Sequence, residues 1–422
     1  MTTGNRSSEN LSAAQWRIVA LLVFSVFINY VDRGNLSVAA PQLTDELHLT
    51  PKMLGLLLSA FSWTYAIGQL FGGWLVDRFN VRWVYGAGFI LWSLATAGTG
   101  LVSTFGVLLM FRLLLGIGEC VSYPSYSKIL AGNFPERHRG VANALIDAGS
   151  KLGPAIGTYL GALIVFHYGW RPLFYVLGFG ALIWVIPWFV WGPRDKALAV
   201  STSDAAPSML EIASKRDSWG TFFGLFCGNY VWYFLINWLP YYLVKTRHFP
   251  MDKMAIFASL PFVAIAAGAT IGGYLSDHMI FKGKSPTTVR KGFIIAGFLC
   301  ALPMVLVVVI PDETIALSVL IGASLLFGFY SSNLWAVTQT IAGPAAAGKW
   351  TGMQNGFGNL AGIIGPALTG WIVEETGSFV IPFFILAVLL LGGAASFWFV
   401  VGPVKPMQWS TSPTLTSSRG TV

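Results

Sequence analysis

Residues 72–78 read GGWLVDR, and residues 272–278 read GGYLSDH, two hundred positions later. Each copy ends an apolar run, 54–76 or 255–276, that is long enough to cross a membrane, since a spanning helix needs about 20 apolar residues. Glycine lets two helices approach closely, and an aspartate at a helix end can bond to a neighbouring helix N-terminus or pair with an arginine. The two copies therefore indicate an internal repeat of membrane-spanning units.

Apolar runs of spanning length recur along the whole chain. Its 422 residues are 55% hydrophobic and 10% charged, whereas a soluble domain carries about 25% charged residues. Twelve runs are long enough to span, at about 17–39, 54–76, 83–104, 106–128, 140–166, 172–192, 219–243, 255–276, 291–310, 314–341, 350–373 and 378–402. The sequence therefore predicts an all-α membrane protein with twelve transmembrane helices.

A polar stretch divides the twelve runs into two sets of six. It covers 193–218, after the sixth run, and its Ser, Asp and Pro residues are typical of a linker. Repeats of six spans are a known transporter architecture. We expect four parts: an N-terminal six-helix half (1–192), a cytoplasmic linker (193–218), a C-terminal six-helix half (219–403) and a cytoplasmic tail (404–422).

The basic charge of the chain follows from its expected orientation. The formal net charge is +8, with 26 Lys and Arg against 18 Asp and Glu. When both termini are placed in the cytoplasm, most basic residues fall in cytoplasmic segments, as the positive-inside rule requires. We therefore expect a multi-pass protein with cytoplasmic termini, whose partner is the lipid bilayer and not a nucleic acid.

Six charged residues interrupt the apolar runs, and all lie in the first half. A charge at the bilayer centre costs roughly 2.5–3.5 kcal/mol on insertion scales, so it is usually kept for a function or a partner. The six are Asp32, Arg33, Arg112, Glu119, Asp147 and Lys151. Arg112 and Glu119 are seven residues apart on one helix face, where a mutual ion pair is plausible when no substrate is bound.

The repeated aspartates predict a gating latch at the cytoplasmic ends of the repeat units. Its expected members are Gly73, Asp77, Arg78 and Asp277, since such contacts can break and reform as two halves rock. The alternative is that Asp77 and Arg78 only solvate a tight turn.

Several motifs carry a family resemblance. Gly73-x-x-x-Asp77-Arg78-x-x-x-Arg82 resembles the signature loop of the major facilitator superfamily. Other motifs are similar to its anion:cation symporter family, which includes bacterial sugar-acid importers: Tyr30-Val31-Asp32-Arg33-x-Asn35-Leu36, Ser59-Ala60-Phe61-x-Trp63-x-Tyr65, Arg112-x-x-x-Gly116-Ile117-x-Glu119, Asn333-x-Trp335 and Thr351-Gly352-x-x-Asn355. The resemblance covers 15–403. It implies the major facilitator fold and a monomer in the bacterial inner membrane, without cofactor or metal.

The resemblance also implies import of an organic anion, a sugar acid or related carboxylate, by proton symport with alternating access. Asp32 and Glu119 are the proton-coupling candidates, because burial favours a protonated carboxyl and a nearby arginine favours the ionised form. Arg33 is the anion-binding candidate, since its planar fork matches a carboxylate. The alternatives are a static salt bridge that never titrates and an Arg33 that permanently neutralises Asp32.

Other candidates for substrate binding have weaker support. Arg112 either contacts the substrate or pairs with Glu119. Four residues in the motifs would supply hydrogen bonds and an aromatic wall, although packing is the commoner role of lone aromatics: Tyr65, Asn333, Trp335 and Asn355.

Asp147 and Lys151 depart from the family pattern. The galactonate-type transporter has neutral residues in this region, with a polar substrate-binding side chain that aligns near Ser150. In this chain the two charges are four residues apart, which suits an ion pair on one helix. Either they neutralise each other, or Lys151 meets a second anionic group of the substrate.

Other functional classes have less support in the sequence. It contains no metal-ligand cluster, no Ser/His pair within one span and no phosphate loop, so no enzyme is expected. The alternative function is an efflux or exchange transporter of the same superfamily, for another small carboxylate or drug-like compound. The three buried basic residues favour an anion.

Overall fold

The computed structural model describes residues 11–134, 136–193 and 207–410, and within them it is helical without a strand. The helices are α1 (Ala13–Glu46), α2 (Pro51–Arg78), α3 (Val81–Thr99), α4 (Phe105–Glu119), α5 (Ser122–Asn133), α6 (Glu136–Tyr168), α7 (Trp170–Leu182), α8 (Val185–Trp191), α9 (Met209–Ala213), α10 (Arg216–Tyr241), α11 (Met251–Phe281), α12 (Pro286–Leu299), α13 (Glu313–Thr376) and α14 (Val380–Ala395). Short π or 3₁₀ turns follow at Tyr242–Thr246, Leu302–Val308 and Ser396–Val400.

Gly343 bends the longest helix. Its φ of 66° lies in the left-handed region that glycine tolerates, and it divides α13 into α13a (Glu313–Gly343) and α13b (Ala346–Thr376). Nine helical segments of the described residues are long and apolar enough to cross a membrane. Helices α2, α3 and α6 occupy three further predicted spans. The prediction of an all-α membrane protein is confirmed.

The internal repeat is a repeat of helix packing. A Cβ atom on Gly72 would lie 2.9 Å from the carbonyl oxygen of Cys120, and one on Gly272 would lie 2.9 Å from Cα of Phe329. Glycine at both positions therefore allows α2 to pack on the end of α4, and α11 to pack on α13a. A Cβ on Gly73 would meet nothing within 4 Å, so the close approach depends on Gly72.

The two sets of helices meet at one end of the bundle, which we call the closed end. The Lys245 ammonium pairs there with Asp45, and the backbone N–H of Lys52 donates to Oε2 of Glu374 at 2.9 Å. A Cβ on Gly55 would lie 2.6 Å from the carbonyl oxygen of Pro366, so α2 and α13b touch through their backbones. Neither helix could carry a larger residue here without separating.

The opposite end, which carries α9, is called the linker end. Contact between α2 and α13b extends to Gly362, where an added Cβ would lie 2.6 Å from Oγ of Ser62. Further towards the linker end, a Cβ on Gly356, Gly352 or Gly348 would meet nothing within 4 Å. These three positions of α13b therefore face open space towards the linker end.

The described part of the linker is tied to the second set of helices. The Lys349 ammonium donates to the carbonyl of Pro207 at 2.9 Å. The backbone N–H of Ser410 donates to Oε1 of Glu211 at 3.0 Å and lowers the pKa of that carboxyl. The expected division at 193–218 and 404–422 stays a prediction, because 194–206 and 411–422 lie outside the described residues.

Candidate functional site

Three helices bring the buried charges of the first half together. Gly116 places α4 directly on α2, since a Cβ there would lie 2.4 Å from the carbonyl oxygen of Phe61. This contact carries Glu119, at the end of α4, towards the middle of α1. Arg33 lies there, in a stretch of α1 that is buried from Val31 to Pro41.

The central ion pair joins α1 to α4. Nε of Arg33 lies 3.0 Å from Oε2 of Glu119, and the two side chains are 8% and 0% exposed. Among the described residues, Arg112 forms no ion pair with Glu119, whose Oε2 atom is taken by Arg33. Nε of Arg112 donates instead to the carbonyl oxygen of Leu57 at 3.2 Å.

Asp32 is close to the pair but is not part of it. Adjacent residues on a helix do not face each other, so its carboxylate turns away from Arg33. Oδ1 of Asp32 accepts a hydrogen bond from Nδ2 of Asn35 at 3.3 Å. The side chain is fully buried.

Aromatic rings surround the Arg33 guanidinium. Its central carbon lies 4.6 Å from the ring centroid of Tyr30, 5.0 Å from that of Phe61 and 4.5 Å from that of Tyr65. Cations are attracted to aromatic faces, more strongly where water is excluded. The rings therefore hold the guanidinium in place without using its hydrogen-bond donors.

Several buried polar atoms of this cluster have unused hydrogen-bonding capacity. Among the described residues, Nη2 of Arg33, Nη1 of Arg112, Oε1 of Glu119 and Oδ2 of Asp32 have no hydrogen-bond partner. A buried polar atom without a partner costs about 1–3 kcal/mol. The cluster therefore offers donors that suit an anion and carboxylate oxygens that can accept protons.

Lys151 lies on α6, beside this cluster. Its Nζ is 3.2 Å from Oδ1 of Asp147 and 5.8 Å from the ring centroid of Trp232 on α10. The hydroxyl of Ser150 donates to the backbone carbonyl of Asp147 at 2.7 Å. Ser150 is therefore occupied by its own helix, whereas Lys151 reaches the other half of the bundle.

The candidate substrate-binding residues of the second half do not share the surroundings of Arg33. Oδ1 of Asn333 accepts from Nη1 of Arg290 at 3.0 Å, and Nη2 of Arg290 is 2.5 Å from Oδ1 of Asp277. Asn333 is thus placed with the repeated aspartate and not with Arg33. Trp335 and Asn355 are half-buried, and the carbonyl of Asn355 accepts from Nδ2 of Asn359 at 2.9 Å.

The first-half latch residues are only partly described. The side chain of Asp77 lies outside the described part of the structure. Arg78 is exposed, and its guanidinium lies 5.6 Å from the ring centroid of Trp74. The latch stays a prediction in this half, while the Asp277–Arg290 contact is the corresponding feature of the second half.

Three residues of the site, Tyr30, Trp232 and Tyr233, had no predicted role. Tyr30 is three positions from Arg33, a spacing at which helix side chains meet, so it could have been found. Tyr233 lies where the halves meet, since a Cβ on Gly362 would be 2.9 Å from its ring and 2.6 Å from Oγ of Ser62, and its hydroxyl donates to Oδ1 of Asn359 at 2.8 Å. Neither Tyr233 nor Trp232 carries a sequence signal beyond its aromatic character.

Within the described residues, no three His, Cys, Asp or Glu side chains are grouped as metal ligands.

Comparison with known proteins identifies the family. The profile of the Major Facilitator Superfamily matches residues 22–366. The chain belongs to this superfamily. It is therefore a multi-pass membrane transporter and not an enzyme, and the major facilitator fold inferred from the sequence motifs is confirmed.

Relatives within the Major Facilitator Superfamily match along almost the whole chain. A probable galactarate/D-glucarate transporter of Bacillus subtilis is 30% identical over 426 residues, covering 93% of each chain. A probable sulfoacetate transporter of Cupriavidus necator is 30% identical over 400 residues, covering 91% of this chain and 93% of its own. The resemblance to sugar-acid transporters is confirmed.

Two solved transporter structures share the fold. A bacterial homologue of the human lysosomal transporter Spinster superposes with a TM-score of 0.79 at 19% identity, covering 93% of this chain and 98% of its own. A D-xylose-proton symporter superposes with a TM-score of 0.78 at 13% identity, covering 93% and 99%.

Proposed function

We propose that this transporter imports a small organic anion, a sugar acid or related carboxylate, together with protons across the bacterial inner membrane. The observation that carries the proposal is the buried ion pair between Arg33 and Glu119. Arginine binds carboxylates through two parallel hydrogen bonds, and Nη2 of Arg33 is free to start one. The relatives named for galactarate, D-glucarate and sulfoacetate, all organic anions, support the same class of cargo.

The ion pair supplies the coupling between proton and anion. When a proton neutralises Glu119, its attraction for Arg33 falls, and the guanidinium becomes free to bind a substrate carboxylate. When the substrate leaves, the buried Arg33 has no partner, which is costly. The positive charge then favours the ionised form of Glu119, so that Glu119 releases its proton and the ion pair forms again. Asp32 is a second proton acceptor whose Oδ2 atom is free.

Alternating access follows from the two ends of the bundle. With both termini in the cytoplasm, the linker end faces inward and the closed end faces the periplasm. The described conformation then releases substrate to the cytoplasm. Return to the outward-facing state requires the Asp45–Lys245 ion pair and the Lys52–Glu374 hydrogen bond to break. Both are exposed contacts, which are weak enough to reform in every cycle.

Transport in proteoliposomes tests this proposal. A thermal-shift screen of the purified protein against carboxylates selects the anion, which is then presented outside the vesicles. An inward proton gradient should concentrate it inside, and collapse of the gradient with an uncoupler should release it. Uptake that does not depend on the proton gradient but requires substrate inside the vesicles would support the exchange alternative and contradict symport.

A further inference from the structure

We infer that Lys151 is a second anion-binding group of the same site, so that the substrate is a dianion held at one end by Arg33 and at the other by Lys151. The inference rests on the proposed anion transport and narrows it to one class of cargo. It concerns a residue that the ion-pair mechanism leaves unused.

The first support is the position of Lys151 relative to Arg33. A Cβ atom on Gly153 would lie 2.8 Å from Cβ of Tyr30, so α6 packs directly on α1 at this tyrosine. Lys151 lies two residues earlier on α6. The same tyrosine ring lies 4.6 Å from the Arg33 guanidinium. Arg33 and Lys151 therefore each lie within one helical turn of the contact between α1 and α6, which brings the two cations to the same region of the bundle.

The second support is the balance of charge around each cation. Arg33 holds Glu119, and Lys151 holds Asp147. The Asp147 side chain is 68% exposed and that of Lys151 is 24% exposed. An ion pair between residues four apart on an exposed helix face is weak. A substrate anion can therefore take the place of Asp147 at Lys151, just as it takes the place of Glu119 at Arg33.

The third support is the contact between Lys151 and the other half. Its Nζ lies 5.8 Å from the ring centroid of Trp232, and that ring packs edge-on against Phe262 at 5.3 Å. The aromatic face attracts the ammonium without using its hydrogen-bond donors. The ammonium is thus held between the halves with donors available, which a purely structural ion pair on one helix does not need.

Paired ligands test the inference. Galactarate and D-galactonate differ only at one end, where a carboxylate replaces a hydroxymethyl group, and D-glucarate and D-gluconate form a second such pair. Titration of the purified full-length protein should give a lower Kd for each dianion than for its monoanionic partner. The measured quantity is the ratio of the Kd of the monoanion to the Kd of the matching dianion. Lys151→Gln should reduce this ratio about tenfold, whereas Lys151→Arg should keep most of it. The control Lys405→Gln, at an exposed position, should leave the ratio at the wild-type value.

Two results would overturn the inference. One is a wild-type protein that binds the monoanions as tightly as the dianions, and the other is a ratio that Lys151→Gln leaves intact. Neither result affects the proposed anion transport, because Arg33 would still bind one carboxylate. Failure of every carboxylate in the panel to bind would instead contradict the proposed function itself.

Discussion

Nε of Arg33 lies 3.0 Å from Oε2 of Glu119, although the two residues are on different helices and 86 positions apart. The pair lies under the aromatic rings of Tyr30, Phe61 and Tyr65. Because the pair is buried, each charge is stable only while the other is present. Removal of one partner leaves an uncompensated buried charge, which costs about 3–5 kcal/mol. A substrate carboxylate and a proton can together replace the two partners.

Replacement of Arg33 by lysine tests the need for a planar cation. Lys cannot form two parallel hydrogen bonds with a carboxylate or stack as a plane on Tyr65. We expect Arg33→Lys to weaken anion binding about tenfold, or about 1.4 kcal/mol, as measured by titration of the purified protein. The control is Arg17→Lys, since Arg17 lies on the same helix but is exposed. Unchanged affinity in Arg33→Lys would show that the guanidinium does not hold the substrate.

The ion pair between Asp45 and Lys245 is expected to stabilise the closed end. Asp45→Asn should shift the equilibrium towards separation of the two halves there, by up to about fivefold, because exposed pairs contribute about 0.2–1 kcal/mol. Spin labels at the exposed positions Ser103 and Asp252, in a variant without native cysteines, report this as a larger share of long distances. Charge reversal in Asp45→Lys with Lys245→Asp should restore the original distribution. If Asp45→Asn leaves the distance distribution at the wild-type shape, the ion pair does not stabilise the closed end.

Gly55 should be irreplaceable at the same end for a steric reason. Its Cβ would lie 2.6 Å from the carbonyl oxygen of Pro366 and 3.1 Å from Cα of Gly370. Gly55→Val should therefore hold α2 and α13b apart and reduce transport by more than about tenfold, since tightly packed sites do not accept added volume. Gly322→Ala is the matched control, because a Cβ there meets nothing within 4 Å. Wild-type uptake by Gly55→Val would contradict closure through this backbone contact.

Arg290 is expected to stabilise the second half through three partners. Its guanidinium donates to Ser276 at 2.8 Å and Asn333 at 3.0 Å, and it pairs with Asp277. Hydrogen bonds to a charged group contribute about 1.5–3 kcal/mol each, so Arg290→Gln should lower the melting temperature in detergent by several degrees. Arg290→Lys should recover part of the loss through the single contact with Asp277. An unchanged melting temperature in Arg290→Gln would show that the cluster does not stabilise this half.

The sequence was sufficient for the features that depend on local pattern. Apolar run lengths predicted the spans, and the repeat at Gly72 and Gly272 predicted equivalent close packing of two helix pairs. The motifs also indicated the family. The charged residues Asp32, Arg33 and Glu119 could be singled out because a charge within a membrane span is costly.

The partners of these charges could not be predicted, because they depend on contacts between helices. Arg33 pairs with Glu119 and not with Asp32, since adjacent side chains on a helix diverge by about 100° and Gly116 sets the approach of α4. Asn333 was expected to meet substrate, yet the structure places its amide at Arg290. A motif identifies the helix, but the rotation of that helix against its neighbours decides which surface a side chain faces.

The most direct test of the central claim is the Glu119→Gln variant in proteoliposomes. Glutamine keeps the shape of Glu119 but mimics its protonated state, so Arg33 should remain available to the anion while this side chain can no longer gain or release a proton. The variant should exchange internal for external substrate at a rate near that of the wild type, and its accumulation under an inward proton gradient should fall to an inside-to-outside ratio of about one. Gradient-driven accumulation by Glu119→Gln at the wild-type level would contradict the coupling of proton and anion through this pair.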